Sequence, residues 1–147
     1  MPERKSIMPY LIVDGGVAAI DFYVRGLGAT EVQRLMDGAK VAHAELTLEG
    51  ALFALADEYP EIDCLSPKRR GGTTVSLAVY VPDVDARVER AVAAGARLER
   101  PIKDEFYGER VAWITDPFGH RWSLNTVKEK LSSKDVEARY ANLTRDK

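Results

Sequence analysis

The sequence predicts an α+β fold in which one order of elements, strand, helix and then three strands, occurs twice. The first observation is a repeated segment. A helical stretch follows Leu11 to Asp14, and a second helical stretch follows the similar segment Val79 to Asp83. The second is a repeated turn, because Asp37-Gly38 and Tyr107-Gly108 stand at corresponding places before an apolar stretch. Internal repeats of this kind indicate an architecture built from two similar units.

In the first half, the spacing of apolar residues predicts one strand, one helix and three further strands. Val17, Ile20 and Val24 recur at helical spacing. Asp14 is the expected N-cap of this helix, and the glycine at 26 or 28 is expected to end it. The predicted bounds are 6–13 for the first strand, 15–25 for the helix, and 30–36, 40–48 and 51–57 for the remaining strands.

The second half repeats this order. Val84, Val88 and Val92 form one helical stripe, and Gly95 stops it. The predicted bounds are 74–81 for the first strand, 83–94 for the helix, and 96–100, 109–116 and 121–127 for the other strands. We expect a single domain over 1–147: module one at about 6–58, a linker or lid at about 59–72, module two at about 73–127 and a C-terminal helix at about 133–144.

Composition narrows the possible partners. The net charge of -2 gives no field that would attract nucleic acid, and no apolar run approaches the length needed to span a bilayer. No signal peptide is predicted from the first eight residues. Cys64 is the only cysteine, which excludes an intramolecular disulfide and fits a cytoplasmic location. We expect Cys64 to lie in a loop without a function of its own. Its role and that of the 59–72 segment stay open.

Several motifs resemble one known superfamily. The helix motif is Ala19-Ile-Asp-Phe-Tyr23 followed by Gly26-Leu-Gly-Ala29, and the turn before the last strand is Asp116-Pro-Phe-Gly-His-Arg-Trp122. The two short strand motifs are His43-Ala-Glu-Leu46 and Leu55-Ala-Asp-Glu58. Together, over about residues 6–127, they resemble the vicinal oxygen chelate superfamily of glyoxalase I, bleomycin resistance proteins and extradiol dioxygenases, in particular its PhnB-like branch. The resemblance implies two βαβββ modules whose curled mixed sheets surround a cup, with the helices outside.

Strand alternation then sorts side chains between the helix-covered core and the opposite side, which we call the cup face. Ala44, Leu46, Leu77, Trp122 and Leu124 are assigned to the core. The cup face is expected to carry Val41, His43, Glu45, Trp113 and Ser123, with Tyr107 and Arg121 near the mouth of the cup. The predicted ligand-binding residues are therefore His43, Glu45, Tyr107, Trp113, Arg121 and Ser123.

In metal-binding members, the resemblance implies ligands on the first and last strand of each module. Those positions are occupied here by Met8, Ala54, Ser76 and Ser123. A thioether, a methyl group and two hydroxyls supply no carboxylate or imidazole, so no metal or other cofactor is expected. A displaced divalent-metal site near His43 and Glu45 is the less favoured alternative.

Three kinds of function stay open. The first is a metal-independent small-molecule binder that holds a planar or aromatic, partly polar compound. The second is a lyase, isomerase or dioxygenase that uses His43 and Glu45 as catalytic residues, with or without a metal. The third is an interaction module that holds no ligand. Arg110 and Arg121 could each bind a carboxylate or phosphate, or serve as surface ion-pair partners. A homodimer is expected, because short curled sheets leave open edges, and the cup is formed within one chain or by exchange between two.

Overall fold

The computed structural model describes residues 2–145, whose elements follow the predicted double order. The first half contains β1 (Tyr10–Val13), α1 (Gly16–Leu27), β2 (Thr30–Asp37), β3 (Lys40–Leu48) and β4 (Ala51–Asp57). A 3-10 turn (Pro60–Ile62) and the short helix α2 (Pro67–Arg70) follow. The second half contains β5 (Ser76–Tyr80), α3 (Val84–Ala93), β6 (Arg97–Leu98), β7 (Lys103–Asp104), β8 (Glu109–Thr115) and β9 (Arg121–Val127), and α4 (Ser133–Arg145) follows it.

The strands form two mixed sheets with the same topology. The first has the order β1-β4-β3-β2 and the second β5-β9-β8-β6, with β7 also paired to β8. In each sheet the first strand is parallel to the last one, and the other pairs are antiparallel. This confirms the predicted fold class of two curled mixed sheets with helices and a C-terminal helix. The strand expected at 96–100 is shorter, and β7 is an element that the apolar pattern did not predict.

One apolar core joins the two halves. Helices α1 and α3 contact each other, and Tyr23 of α1 lies against Phe53 of β4 and Trp122 of β9 at ring-centroid distances of 5.5 and 5.6 Å. Ala112, Ile114, Trp122 and Leu124 belong to this core, as strand alternation predicts. Within residues 2–145, no helix combines the length and apolar character needed to cross a membrane.

The N-terminus of α1 differs from the prediction. Gly15, not Asp14, is the N-cap residue, and no side chain caps the helix from within its own turn. The buried Asp57 carboxylate accepts hydrogen bonds from the Gly15, Gly16 and Val41 amides at 2.9, 2.9 and 2.7 Å. A distant strand residue therefore satisfies the amides that a local cap would otherwise satisfy.

The assignment of Val41 to the cup face is wrong. Val41 is fully buried in the core, beside Gly16 of α1. The register of β2 with β3 shifts between Leu35↔His43 and Met36↔Val41, so Ala42 is an extra residue on β3. A bulge of this kind resets the alternation, which is why simple parity failed at this point and holds again from His43 onward.

Candidate functional site

The first sheet carries a connected group of polar side chains on its cup face. Glu45 is buried, with 3% of its side chain exposed, and its Oε2 lies 2.9 Å from His43 Nε2. His43 Nδ1 lies 2.8 Å from the Tyr10 hydroxyl on β1. Arg4 contacts both carboxylate oxygens of Glu45, at 3.0 and 3.1 Å. The group therefore runs in the order Arg4, Glu45, His43 and Tyr10, which ends at an exposed phenol.

The chemistry of this group follows from its hydrogen bonds. In the tautomer that satisfies both contacts, His43 Nε2–H donates to Glu45 and Nδ1 accepts the phenolic hydrogen of Tyr10. Hydrogen bonding from His43, and then from Arg4, lowers the pKa of Glu45 and keeps its carboxylate ionised. Partial burial raises the pKa of Tyr10, so its phenol stays protonated. A carboxylate, an imidazole and a phenol in this order can move the phenolic proton onto the imidazole.

The second sheet carries the aromatic part of the predicted site. Trp113 on β8 is directly paired with Ser123 on β9, and both lie on the face opposite Ile114 and Trp122. The guanidinium carbons of Arg100 and Arg121 lie 5.2 and 5.4 Å from the centroid of the Trp113 ring. Both distances are in the range of cation–π contacts. The half-buried indole is thus flanked by two positive charges.

The arginines singled out from the sequence differ in their surroundings. Arg110 bonds both Asp85 oxygens and Asp104 at 2.8 to 3.1 Å, which makes it an ion-pair residue. Within residues 2–145, neither Arg100 nor Arg121 forms an ion pair with a carboxylate. Of the two arginines considered from the sequence, Arg121 is therefore the one whose donors can meet a ligand.

Tyr107 lies toward the other end of the second sheet. It packs edge-on against Phe106, and burial, followed by the charges of Glu105 and Glu109, raises the pKa of its phenol. Glu109 precedes Trp113 by four residues on β8, a distance of roughly 13 Å along an extended strand. The contacts in the described part of the chain do not join Tyr107 to Trp113.

A cleft of about 320 Å³ lies where the edge strands of the two sheets approach each other. Tyr10 and Ile12 of β1 line one wall, Leu77 and Arg121 the other, and Leu65 and Arg70 from the connecting segment lie along it. His43, Glu45, Trp113 and Ser123 are not among its lining residues. Tyr10 connects the polar group of the first sheet to the cleft, because it both lines the cleft and bonds to His43. Arg121 connects the second sheet in the same way, because it lines the cleft and lies over the Trp113 ring.

Sequence reasoning missed Tyr10, Arg4 and Arg100. Tyr10 could have been found, because it alternates with the buried Leu11 and Val13 on β1 and so belongs to the cup face. Arg4 lies 41 residues from Glu45 and Arg100 lies in an irregular segment, so no local pattern marks either one.

The four positions that the resemblance assigns to metal ligands carry side chains that do not fit a metal centre. Met8, Ala54, Ser76 and Ser123 offer no imidazole or carboxylate, and Ser123 Oγ accepts a hydrogen bond from Asn125 at 3.1 Å. His120 Nε2 lies 2.9 Å from the Ile12 carbonyl, so one ring nitrogen of the second histidine is already engaged. No group of three or more His, Cys, Asp or Glu side chains in the described residues could hold a metal ion.

Comparison with known proteins identifies the family. The family model described as the glyoxalase/bleomycin resistance protein/dioxygenase superfamily matches residues 7–124. An uncharacterised protein of Mycobacterium tuberculosis is 36% identical over 138 residues, covering 90% of this chain and 81% of that protein. TioX from Micromonospora sp. ML1 is 26% identical with a TM-score of 0.68, covering 84% of this chain and 99% of TioX. The PhnB protein of Bacillus cereus, 21% identical with a TM-score of 0.62 over 84% of this chain and 100% of its own, shares the fold. This chain belongs to the glyoxalase/bleomycin resistance protein/dioxygenase superfamily.

Proposed function

We propose that this protein binds a planar or aromatic, partly polar small molecule in its cup and does so without the metal centre of the superfamily. The observation that carries the proposal is the half-buried Trp113, flanked by Arg100 and Arg121, neither of which has a carboxylate partner in the described residues. An indole offers a flat apolar surface to a ligand ring, and the two guanidinium groups that lie over the indole can bind polar substituents.

The donor set on the two sheets supports the absence of a metal centre. Both histidines already bond to protein groups, His43 to Glu45 and Tyr10, and His120 to a backbone carbonyl. The family positions supply only a thioether, a methyl group and hydroxyls. A divalent cation that these residues held would keep most of its water, so tight binding is not expected.

The Arg4–Glu45–His43–Tyr10 group favours a second candidate, a proton-transferring isomerase or lyase. Tyr10 presents its phenol at the cleft wall, and His43 is hydrogen-bonded to it at 2.8 Å. In such an enzyme, His43 would accept the phenolic proton of Tyr10 at Nδ1, Glu45 would stabilise the resulting imidazolium, and the Tyr10 phenolate would abstract a proton from the ligand. This candidate requires turnover of a bound compound, whereas the first requires binding alone.

The proposal also includes a homodimer located in the cytoplasm. The outer edges of β1 and β5 have no strand partner in the described chain, and unpaired edges favour association. A single cysteine per chain is consistent with a reducing compartment.

The test uses the fact that the chain has only two tryptophans. Trp122→Phe leaves Trp113 as the sole reporter, so planar aromatic compounds that bind should change its indole emission. Equilibrium dialysis should show that wild type and Trp122→Phe retain these compounds, also in EDTA, and that Trp113→Ala loses about tenfold or more of their affinity.

Circular dichroism and thermal melting of each variant control for folding. If folded Trp113→Ala bound the planar aromatic compounds as tightly as wild type in dialysis, the Trp113 indole would not be part of the binding site. Loss of binding in EDTA, restored by Zn²⁺, would establish a metal centre and contradict the proposal. Chemical conversion of a bound compound that stops in Tyr10→Phe and His43→Ala would favour the enzyme.

A further inference from the structure

We propose that the ligand is an aromatic anion, in which a carboxylate stands next to a flat ring system, and that Arg100 and Arg121 bind the carboxylate while Trp113 contacts the ring. This inference rests on the proposed function and specifies its ligand class. It follows from a surplus of hydrogen-bond donors over acceptors around the Trp113 ring.

Four donor groups near Trp113 are uncommitted in the described chain. Arg100 and Arg121 form no ion pair there, and the Trp113 indole N–H has no protein acceptor. Ser123, paired with Trp113 across the strands, accepts from Asn125, which leaves its hydroxyl hydrogen free to donate. A ligand that satisfies these groups must supply acceptors, and a carboxylate supplies about four lone pairs.

Glu99, whose backbone amide donates to the Trp113 carbonyl, is an acid beside this cluster that is already engaged elsewhere. The Thr115 hydroxyl and then Arg97, at 2.9 Å, bond to the Glu99 carboxylate and lower its pKa. The charge of Arg121 makes the smallest contribution to the lowered pKa of Glu99, and the two side chains form no ion pair in the described residues. Because Arg97 balances Glu99, the two arginines over Trp113 leave a local excess of positive charge.

A cleft adjoins this cluster at Arg121, and because Trp113 does not line it, the ring that contacts Trp113 lies outside the cleft. Arg121 lines the cleft together with the aliphatic side chains of Ile12, Leu65 and Leu77. Its volume of about 320 Å³ is at the lower end of the range for small-molecule sites, so it can take an apolar substituent of the ligand that extends past Arg121. Guanidinium groups bind carboxylates through paired N–H donors, so Arg121 can fix the ligand's orientation.

The test compares 2-naphthoate with its neutral analogue 2-naphthamide, which has the same rings. Equilibrium dialysis at fixed ionic strength should show naphthoate binding to wild type about tenfold or more tightly than the amide. Arg121→Gln and Arg100→Gln should each reduce this preference by about threefold or more. Arg25→Gln, which removes the same charge from an exposed pair with Asp21, should leave it unchanged.

The outcomes separate the inference from the proposed function. Equal affinity for naphthoate and naphthamide, both lost in Trp113→Ala, would overturn the anionic ligand class and leave the aromatic binder intact. Preference for naphthoate that survives Arg100→Gln, Arg121→Gln and their combination would also overturn it. If wild type bound neither compound nor any other planar aromatic, the proposed function itself would fail.

Discussion

Glu45 shows how one residue on the cup face is held in its charged form. Its side chain is almost fully buried, yet it receives bonds from His43 and Arg4 that compensate for the loss of water. His43 and Glu45 stand two apart on β3, so their contact could be predicted from strand alternation. Arg4 and Tyr10 come from other parts of the chain, and only the folded structure brings them to this pair.

The bonds to Glu45 make stability depend on pH. Because folding lowers the pKa of Glu45 below its usual value of 4.5, its stabilising contribution is present above that value and is lost as pH falls through the folded pKa. Urea unfolding at pH 3 to 7 should therefore show Glu45→Gln less stable than wild type at pH 7, with a difference that shrinks on acidification.

Glu61→Gln is the matched control, because Glu61 is exposed and bonds to no side chain in the described residues. Its stability curve should run parallel to that of wild type. A difference between wild type and Glu45→Gln that is constant from pH 3 to 7 would show that the carboxylate charge contributes nothing.

Among the elements, the turn between β8 and β9 connects the two halves through one buried side chain. The buried Asp116 carboxylate accepts from the Tyr23 hydroxyl at 2.6 Å and from the Trp122 indole at 2.9 Å. It also accepts from the Phe118 and His120 amides at 2.8 and 3.0 Å. One side chain therefore fixes the turn, orients Trp122 and attaches α1 of the first half to the second sheet.

Asp116→Asn should be strongly destabilising. The amide nitrogen would face hydrogen-bond donors and leave buried groups unpaired, which costs about 3 kcal/mol of unfolding free energy. Chemical denaturation would measure the loss. Asp14→Asn, at an exposed residue that does not cap α1, should change the unfolding free energy by less than about 0.5 kcal/mol. Equal effects of the two substitutions would contradict this account.

Element prediction succeeded where local patterns were complete. The strands at 40–48, 51–57 and 121–127 have the predicted bounds, and Gly28 ends α1 as expected. The sequence pattern gave wrong predictions where long-range contacts determine the structure. Asp57 replaces a local cap of α1, and a bulge at Ala42 places Val41 on the core face instead of the cup face. The short strand β7 is defined by its pairing with β8. The cup-face residues were assigned by parity alone, which gives a sheet face but not distances between sheets.

At the scale of the whole molecule, the two sheets share a core but not a backbone ladder. Within residues 2–145, β1 pairs only with β4 and β5 only with β9, so each sheet has a free edge at its first strand as well as an edge at its other end, which is β2 in the first sheet and β6 and β7 in the second. On β5, Leu77 and Val79 are only partly buried, and Val75, which precedes the strand and lines the cleft together with Leu77, is 62% exposed. These apolar side chains at an unpaired edge support association through β5, and the half-exposed Tyr140 and Leu143 of α4 offer a second apolar surface.

We therefore expect a homodimer at tens of micromolar by light scattering, with the β5 edge in the interface. Val75→Glu should dissociate it, because a charge at an open strand edge opposes pairing. Val92→Glu, at an exposed position on α3, should leave it intact. Leu143→Glu distinguishes the two apolar surfaces: a weaker dimer would add α4 to the interface, and an unchanged one would confine the interface to the sheets. A wild-type monomer, or dissociation by Val92→Glu but not by Val75→Glu, would contradict association through β5.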